Sequence, residues 1–447
     1  DTLPLFYRSR PSAKRGSVMS EAIWIKNGRI IDPANGRDEV ADLYIADGRI
    51  CEAPDAKESE VANVVDASGE IVAPGFIDLR AHLRELGGGG RETIASGTRA
   101  AAAGGFTTVV CMPDVSPAAD NPGTIRYLQD AIEKDACIDV LLTGSITLDR
   151  KGEQLAPIGS LKQSGVIAVT DCPASTGNNE IFRRSLEYAA MFDLPILDLP
   201  RDPFLASNAV AHEGAQALRL GLRGWPRAAE ELFVYRAVSL AMLTKAHVHL
   251  QSLSSAGSVE ILQRAKERGV PVTADVTPHH LALTDSTLAD YNTNLKTNPP
   301  LREESDRQAL LAGLLDGTID CIATAHEPYL EHEKDMEFDL APFGVIGLET
   351  ALSVSLESIV RSGAGSMSDM VSALTYRPAS VLGLNKGTLS SGSIADIVIF
   401  DQQKEWAVTP ENLESLSSNS PWLGENMTGR VTHVISTGQH IRDSSLA

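Results

Sequence analysis

The chain has 447 residues, of which 43% are hydrophobic and 22% charged, and its formal net charge is −20. That length allows a large core and exceeds one ordinary domain. An acidic chain repels nucleic acid and anionic membrane surfaces, so we expect neither as a partner. The five cysteines are scattered without a CxxC pair, which favours a reducing, cytoplasmic compartment over a disulfide framework.

The first residues differ in charge from the rest of the chain. Residues 1–18 contain three arginines and one lysine, and Met19 is a candidate natural start. We therefore expect residues 1–18 to be either a vector-derived remnant or an N-terminal extension that docks on a partner.

The two ends of the chain share a β-rich pattern. From residue 22 to 73, short β-type runs are separated by Asn-Gly and Asp-Gly, which are hairpin signals. The same pattern returns in GTLSSGSIADIVIFD and GRVTHVISTGQHI near the other end. We expect residues 19–73 and 386–447 to form one small composite β-sandwich domain.

Between these ends, over residues 74–385, apolar strands alternate with helical stretches. Repeated strand–helix units indicate either a parallel α/β barrel or a doubly wound sheet. No GxGxxG fingerprint follows the first strand, which disfavours a dinucleotide-binding sheet. The predicted strands are 107–112, 140–146, 166–171, 195–199, 247–253, 271–278 and 320–325, and the predicted helices are 123–135, 178–192, 225–244, 256–268 and 303–315.

A disrupted metal-binding motif ends the first of these strands. Residues 73–86 read APGFIDLRAHLREL, with the layout of an HxH pair at positions 80 and 82. Alternation along a strand puts both side chains on the same side, where two imidazoles could bind one cation. Position 80 is Arg80, whose guanidinium stays protonated and has no lone pair to donate. The functional residues of a barrel lie at the carboxyl ends of its strands, so the same ends elsewhere are the positions to inspect.

Long motifs in a fixed order connect the chain to a known family. They include VAPGFIDL, GRETIASGTRAAAAGGFTTVVCMPD, VTPHHLALTD, NPPLREESDRQALLAGLLDGTID and APFGVIGLET. In these stretches the chain resembles the dihydroorotases of the cyclic amidohydrolase group. The resemblance implies a TIM-like (β/α)8 barrel with a small β-sandwich domain built from both termini. It also implies reversible closure of carbamoyl-aspartate to dihydroorotate at a two-zinc site.

The resemblance also implies that the zinc site is altered. Five of the family's six metal-binding positions carry other residues here, and only one histidine is kept. The six positions fall on Arg80, His82, Cys172, Leu199, Ser252 and Ala325. A catalytic zinc normally has about three protein ligands, so we expect no bound zinc and no other cofactor.

Substrate-binding positions of the family are altered in part. Arg84 and Asn298 match the family, whereas Asp114 replaces an asparagine and Tyr329 replaces a loop histidine. Dihydroorotate is an anion, and a carboxylate at position 114 would repel it by ~1–4 kcal/mol at contact distance.

These substitutions predict that the chain is not an enzyme but an inactive dihydroorotase homologue. Some bacterial chains of this kind bind the catalytic chain of aspartate carbamoyltransferase. The resemblance therefore implies a hetero-oligomer in which this chain is a non-catalytic structural subunit of pyrimidine biosynthesis.

Two alternatives remain open. One is an amidohydrolase with a relocated or single-metal site that acts on another cyclic amide; its candidate ligands are His247, His249, His279, His326 and Cys172. Cys172 could also be a reactive thiolate if Arg80 or Arg201 lowers its pKa. The other alternative is a sensor that binds an anion through Arg80, Arg84 and Asn298.

Overall fold

A computed structural model describes residues 22–52 and 63–443 of the chain. Residues 1–18, for which two interpretations were open, lie outside the described residues. Within the described residues, no helix is long and apolar enough to cross a membrane.

The strands fall into a terminal group, a central group and one short pair. The terminal strands are β1 (Ile23–Asp32), β2 (Arg37–Ala46), β3 (Arg49–Cys51), β4 (Asn63–Asp66), β5 (Ile71–Pro74), β16 (Ile397–Ala407), β17 (Asn426–Ser436) and β18 (Gln439–Asp443). The central strands are β6 (Phe76–Ala81), β7 (Phe106–Cys111), β8 (Asp139–Gly144), β9 (Ala168–Val169), β10 (Ile196–Asp198), β13 (Val248–Leu250), β14 (Val272–Val276) and β15 (Cys321–Ile322). The short pair is β11 (Ala211–His212) and β12 (Gly224–Trp225).

Helices follow most of the central strands. They are α1 (Ile94–Ala103), α2 (Pro122–Asp135), α3 (Ile158–Gln163), α4 (Asn179–Ala190), α5 (Ala215–Leu220), α6 (Ala228–Thr244), α7 (Ala256–Glu267), α8 (Pro278–Ala282), α9 (Glu304–Asp316), α10 (Glu331–Lys334), α11 (Ala351–Ser355), α12 (Met367–Leu374) and α13 (Tyr376–Val381). The predicted central strands and helices are all present, with boundaries that shift mostly by one to three residues.

The central strands form a nearly closed parallel barrel. Eight strands follow the order β15-β14-β13-β10-β9-β8-β7-β6, and a parallel bridge between Ala81 and His326 links the two ends. This confirms the predicted TIM-like barrel and rejects the doubly wound alternative. Because all eight strands run the same way, their carboxyl ends meet at one mouth.

A second sheet combines strands from both ends of the chain. Its order is β18-β17-β16-β5-β1-β2-β3, and β4 pairs with β1. Buried Ile, Leu and Val side chains on both halves, including Ile25, Ile45, Ile397 and Ile435, form one apolar cluster. A mixed sheet built from both termini is therefore present, as the sequence predicted.

Aromatic packing attaches this sheet to the first barrel strand. Phe76 at the start of β6 is fully buried. Its ring contacts Phe106 of β7 at 5.7 Å and Phe400 of β16 at 6.2 Å between centroids. Since β6 also carries Arg80, this contact helps to fix the strand that leads into the mouth.

Replacing Phe76 with alanine is expected to lower the free energy of unfolding by about 3–5 kcal/mol, because a fully buried ring leaves a cavity. Phe204→Ala is the matched control, since Phe204 is 84% exposed, and it should change the same quantity by less than about 0.5 kcal/mol. Urea denaturation measures both. Equal effects of the two substitutions would contradict this account of the core.

Candidate active site at the barrel mouth

Most of the positions singled out from the sequence meet at the barrel mouth. Arg80 donates a hydrogen bond to Ser252. Asp114 forms ion pairs with His82 and Arg84. Arg84 also donates to the Tyr329 hydroxyl. Leu199 takes no part in these polar contacts and packs in the apolar cluster that also contains Cys172. The Oδ1 atom of Asn298 is buried and has no hydrogen-bond partner among the described residues.

Arg80 is a fully buried cation at the end of β6. Its Nη1 donates to Ser252 Oγ at 2.7 Å, whereas Nε and Nη2 have no partner among the described residues. Burial disfavours the charged form, but nearby acidic groups, with Cys172 and Glu327 foremost, outweigh it and raise the pKa of Arg80. The guanidinium therefore stays charged and keeps two unused donors.

His82 and Asp114 form a close buried pair. The distance from His82 Nδ1 to Asp114 Oδ1 is 2.7 Å. Burial opposes a charged imidazole, yet Asp114 and Glu327 raise the pKa of His82 to about 9. Burial raises the pKa of Asp114, but the charges of His82 and Arg84 have the larger effect. They hold the pKa of that carboxyl well below its usual range. The pair is thus an imidazolium and a carboxylate at neutral pH.

The position of Asp114 corrects one expectation about its charge. The sequence suggested a free carboxylate that repels an anionic substrate. Instead, Asp114 lies between His82 and Arg84, whose Nη1 atom is 3.0 Å from Asp114 Oδ2. Two cations neutralise the carboxylate, so its repulsion of an anion is largely cancelled.

Glu327 is a site residue that the sequence reading missed. It is buried and lies 3.1 Å from Arg84 Nη2, and the Tyr329 hydroxyl donates to it at 3.1 Å. Burial and Glu327 together raise the pKa of Tyr329, which keeps that hydroxyl protonated. The signal in the sequence was a carboxylate directly after His326 at a strand end, in ATAHEPY.

Tyr329 also links the mouth to the segment that follows it. The Arg84 guanidinium lies 5.2 Å from the centre of its ring and that of Arg91 lies 5.0 Å away. Arg91 forms an ion pair with Glu333 of α10. Lys334 is buried and donates to the carbonyl oxygens of Pro342 and Gly344 at 2.9 Å. These contacts hold the segment around α10 against the mouth.

Three residues of this rim have a strained backbone. Arg84, Ser252 and Ala325 have φ values of 54°, 52° and 52°, in the left-handed region that non-glycine residues disfavour by about 1–3 kcal/mol. Ser252 is held there partly by its backbone N–H, which donates to Asp275 Oδ1 at 2.7 Å. Strain of this kind is typical of positions whose geometry matters for function.

The residues at the mouth do not fit a pair of zinc ions. Arg80 places a permanent positive charge at the site, and the Nδ1 atom of His82 is already paired with Asp114. Leu199 and Ala325 have no donor atom, and a protonated imidazole has no lone pair to give. Among the described residues of the mouth, the positions that correspond to the family's zinc ligands therefore do not fit a zinc pair.

The relocated metal site considered from the sequence does not form either. His247 and His249 both hydrogen-bond to Thr273, and His249 also pairs with Asp275. His279 stacks on His280, and His326 faces Glu92. Among the described residues, the groups able to hold an ion are His433, His440 and Asp443, and His212, Asp285 and Glu303.

Comparison with known proteins identifies the family. Residues 69–258 match the dihydro-orotase-like family, and residues 230–441 match the amidohydrolase family. A dihydroorotase of Endomicrobium trichonymphae is 44% identical over 415 residues, which cover 93% of this chain and 98% of that protein. The chain belongs to the dihydroorotase-like family of amidohydrolases. A dihydroorotase of Anaeromyxobacter dehalogenans is also 44% identical, over 96% of this chain and 100% of that protein.

Solved structures agree with this family in fold. The L-hydantoinase of Arthrobacter aurescens has a TM-score of 0.83 at 21% identity, covering 95% of this chain and 96% of that one. A dihydropyrimidinase from Brevibacillus agri has a TM-score of 0.81 at 24% identity, covering 94% and 95%. At this identity the likeness supports the barrel and its accompanying sheet alone.

The expectation that the chain is not an enzyme is wrong. Its relatives at 44% identity, aligned over nearly the whole chain, are named dihydroorotase, so an enzyme is indicated. The prediction treated the loss of metal ligands as the loss of all chemistry. Losing them removes one way to activate water, whereas charged and nucleophilic side chains at the mouth can still act on a carbonyl group.

Replacing Asp114 with asparagine is expected to lower the pKa of His82 from about 9 towards or below its ordinary value of about 6.5. In the wild type, the folded-state pKa is above the unfolded one. While Asp114 stays ionised, the contribution of His82 is therefore complete below about pH 6.5 and is lost as pH rises through about 9. Histidine NMR titration and urea denaturation at several pH values measure both effects. Asp149→Asn, at an exposed carboxylate, is the control, and a His82 pKa unchanged in Asp114→Asn would contradict the pairing.

Proposed function

We propose that this chain is a dihydroorotase-like amidohydrolase that acts on a cyclic amide at the barrel mouth without a zinc pair. The observation that carries the proposal is the 44% identity to dihydroorotases along 93% of the chain. The mouth supports it, since Arg84 and Asn298 occupy positions that the family uses for substrate. The buried guanidinium of Arg80 can polarise a carbonyl oxygen where the family would use a metal ion.

Charge pairing favours a substrate other than dihydroorotate. Arg84 is committed to Asp114 at 3.0 Å and to Glu327 at 3.1 Å. A substrate carboxylate would have to displace one of these buried carboxylates, which is costly because the displaced group would lose its partner. We therefore propose a cyclic amide that has no carboxylate at this position.

We expect the protein to turn over at least one member of a panel of cyclic amides. A chelator should not reduce this activity, because the proposed mechanism does not use zinc. The panel contains dihydroorotate, dihydrouracil and hydantoin, and ring opening is followed with and without EDTA. Arg80→Met should lower kcat by about a hundredfold or more, as expected for loss of an electrophilic donor.

The EDTA experiment needs a control variant, because a second group of side chains could bind zinc away from the mouth. His433 Nδ1 lies 3.1 Å from His440 Nε2 and 3.6 Å from Asp443 Oδ1, so this partly exposed group could retain zinc unrelated to catalysis. His440→Ala removes that contribution. Activity that EDTA abolishes and zinc restores in His440→Ala would contradict a zinc-independent site, and absence of turnover across the panel would contradict the enzymatic proposal.

We further propose that the chain assembles with the catalytic chain of aspartate carbamoyltransferase in the cytoplasm. The family resemblance suggests this partner, and the outer face of α6 is the candidate contact surface. Leu232, Tyr235, Met242 and Leu243 are 54%, 62%, 47% and 61% exposed. Their spacing places them on one face of the helix, and such an exposed apolar stripe is typical of a protein interface.

Replacing both Leu232 and Leu243 with glutamate should abolish co-purification with the transferase of the same organism, because two charges would be buried in an apolar contact. Gln263→Glu is the control. It adds a charge at an exposed position of α7 and should leave co-purification intact. Light scattering of the co-expressed chains gives the mass of the complex. Retention of the complex by the double variant would contradict α6 as the contact surface.

A further inference from the structure

Two histidines and an aspartate lie together on the sheet built from both ends of the chain, which we call the terminal sheet. His433 is on β17, and His440 and Asp443 are on β18. His433 Nδ1 lies 3.1 Å from His440 Nε2 and 3.6 Å from Asp443 Oδ1. One ligand atom from each of the three residues lies within 4.8 Å of the other two. Imidazole and carboxylate both bind zinc, so these side chains are a candidate ligand set for one divalent ion.

An irregularity in strand pairing brings the three side chains to one face of the sheet. β17 and β18 are antiparallel, and His433 is opposite Asp443. Ile435 is opposite His440, and residues 433 and 435 share a face because side chains alternate along a strand. On a regular β18, positions 440 and 443 would face opposite sides. The register shifts between these two pairs, as in a β-bulge, and the extra residue turns both side chains to the same face.

The distances are close to the edges of a zinc tetrahedron. Zinc bonds to histidine nitrogen and carboxylate oxygen are about 2.0–2.2 Å long, so two ligand atoms of a tetrahedral zinc lie about 3.3–3.6 Å apart. The two distances from His433 Nδ1, 3.1 and 3.6 Å, are near this range. The side chains of His433 and Asp443 are 12% and 25% exposed. Solvent can therefore deliver the ion and supply its fourth ligand.

The second group of possible ligands is less suited to a cation. His212, Asp285 and Glu303 also bring ligand atoms together, but arginines already contact two of these residues. Arg302 Nη1 donates to His212 Nδ1 at 3.1 Å, and Arg227 Nη2 lies 2.6 Å from Glu303 Oε2. A divalent ion at this place would lie beside two permanent positive charges. The group on the terminal sheet is therefore the better site.

We propose that His433, His440 and Asp443 bind one zinc ion, which cross-links β17 to β18 at one edge of the terminal sheet. β18 is the outermost strand of this sheet and pairs with β17. Metal bonds from both strands would add to the backbone pairing of this edge strand and stabilise it. The site is structural and takes no part in chemistry at the barrel mouth, so it is independent of the proposed function.

Zinc binding is measured by isothermal titration calorimetry of the full chain, after EDTA has stripped the metal and has itself been dialysed away. We expect one zinc ion per chain in the wild type. His440→Ala should weaken binding by about a hundredfold or more, because loss of residues that merely orient a metal ligand already costs about 10–100-fold. His332→Ala is the control. It removes an exposed histidine of α10 and should leave the zinc affinity unchanged.

Hydrogen exchange measures whether the ion fastens β18. Zinc should slow the exchange of backbone amides in residues 439–443 of the wild type and should have no such effect in His440→Ala. Cobalt(II) is the second probe, since it reports ligand geometry by its visible absorption. The wild type should show the spectrum of a tetrahedral complex, and Asp443→Asn should reduce it. Circular dichroism verifies that each variant is folded.

Three outcomes would contradict the proposal. A folded wild type that binds no zinc would overturn the site. Wild-type zinc affinity in His440→Ala would also overturn it, because the ion would then bind elsewhere. Zinc that binds through these histidines without slowing exchange in β18 would overturn the cross-link. These measurements do not involve turnover, so their failure and the failure of the proposed function are distinguishable.

Discussion

The buried guanidinium of Arg80 determines how the other charges at the barrel mouth are arranged. A buried cation is tolerated only where it is compensated; burial lowers the pKa of Arg80, but its surroundings, which include Glu327, Asp275 and Asp114, raise it overall. The same carboxylates then set the charge of His82 and engage Arg84. The charged side chains of the mouth therefore form one connected array.

The fold was predictable from the sequence because its signals are local. Each strand–helix unit carries its own periodicity, so β7 and α2 could be located within about a residue, and the repetition of units favoured a barrel. The position of Arg80 at a strand end followed from strand alternation alone. Ion pairing between loops did not follow, because no local pattern specifies it. Glu327 was overlooked, and Asp114 was taken to be free, since the partners of both come from distant parts of the chain.

The barrel explains how relatives can share a scaffold and differ at its mouth. The parallel strands present their carboxyl ends together, whatever residues stand there. Buried apolar clusters between strands and helices hold this arrangement. Activity must therefore be argued from the site rather than from the fold. The ion pair of Arg91 with Glu333 anchors the α10 segment beside this mouth.

The charges at the mouth depend on one another, so a single substitution towards the family's zinc ligands would disturb several of them. A change of Arg80 to histidine would remove the cation that compensates Glu327 and Asp275, and Leu199, Ser252 and Ala325 would still offer no zinc ligand set. A change of Ala325 to aspartate would add a carboxylate at a buried position, which is costly without a partner. Each single change would alter the balance between buried cations and carboxylates at the mouth. Electrostatic balance thus couples the residues of the mouth, and a change at one position is favourable only with compensating changes at others.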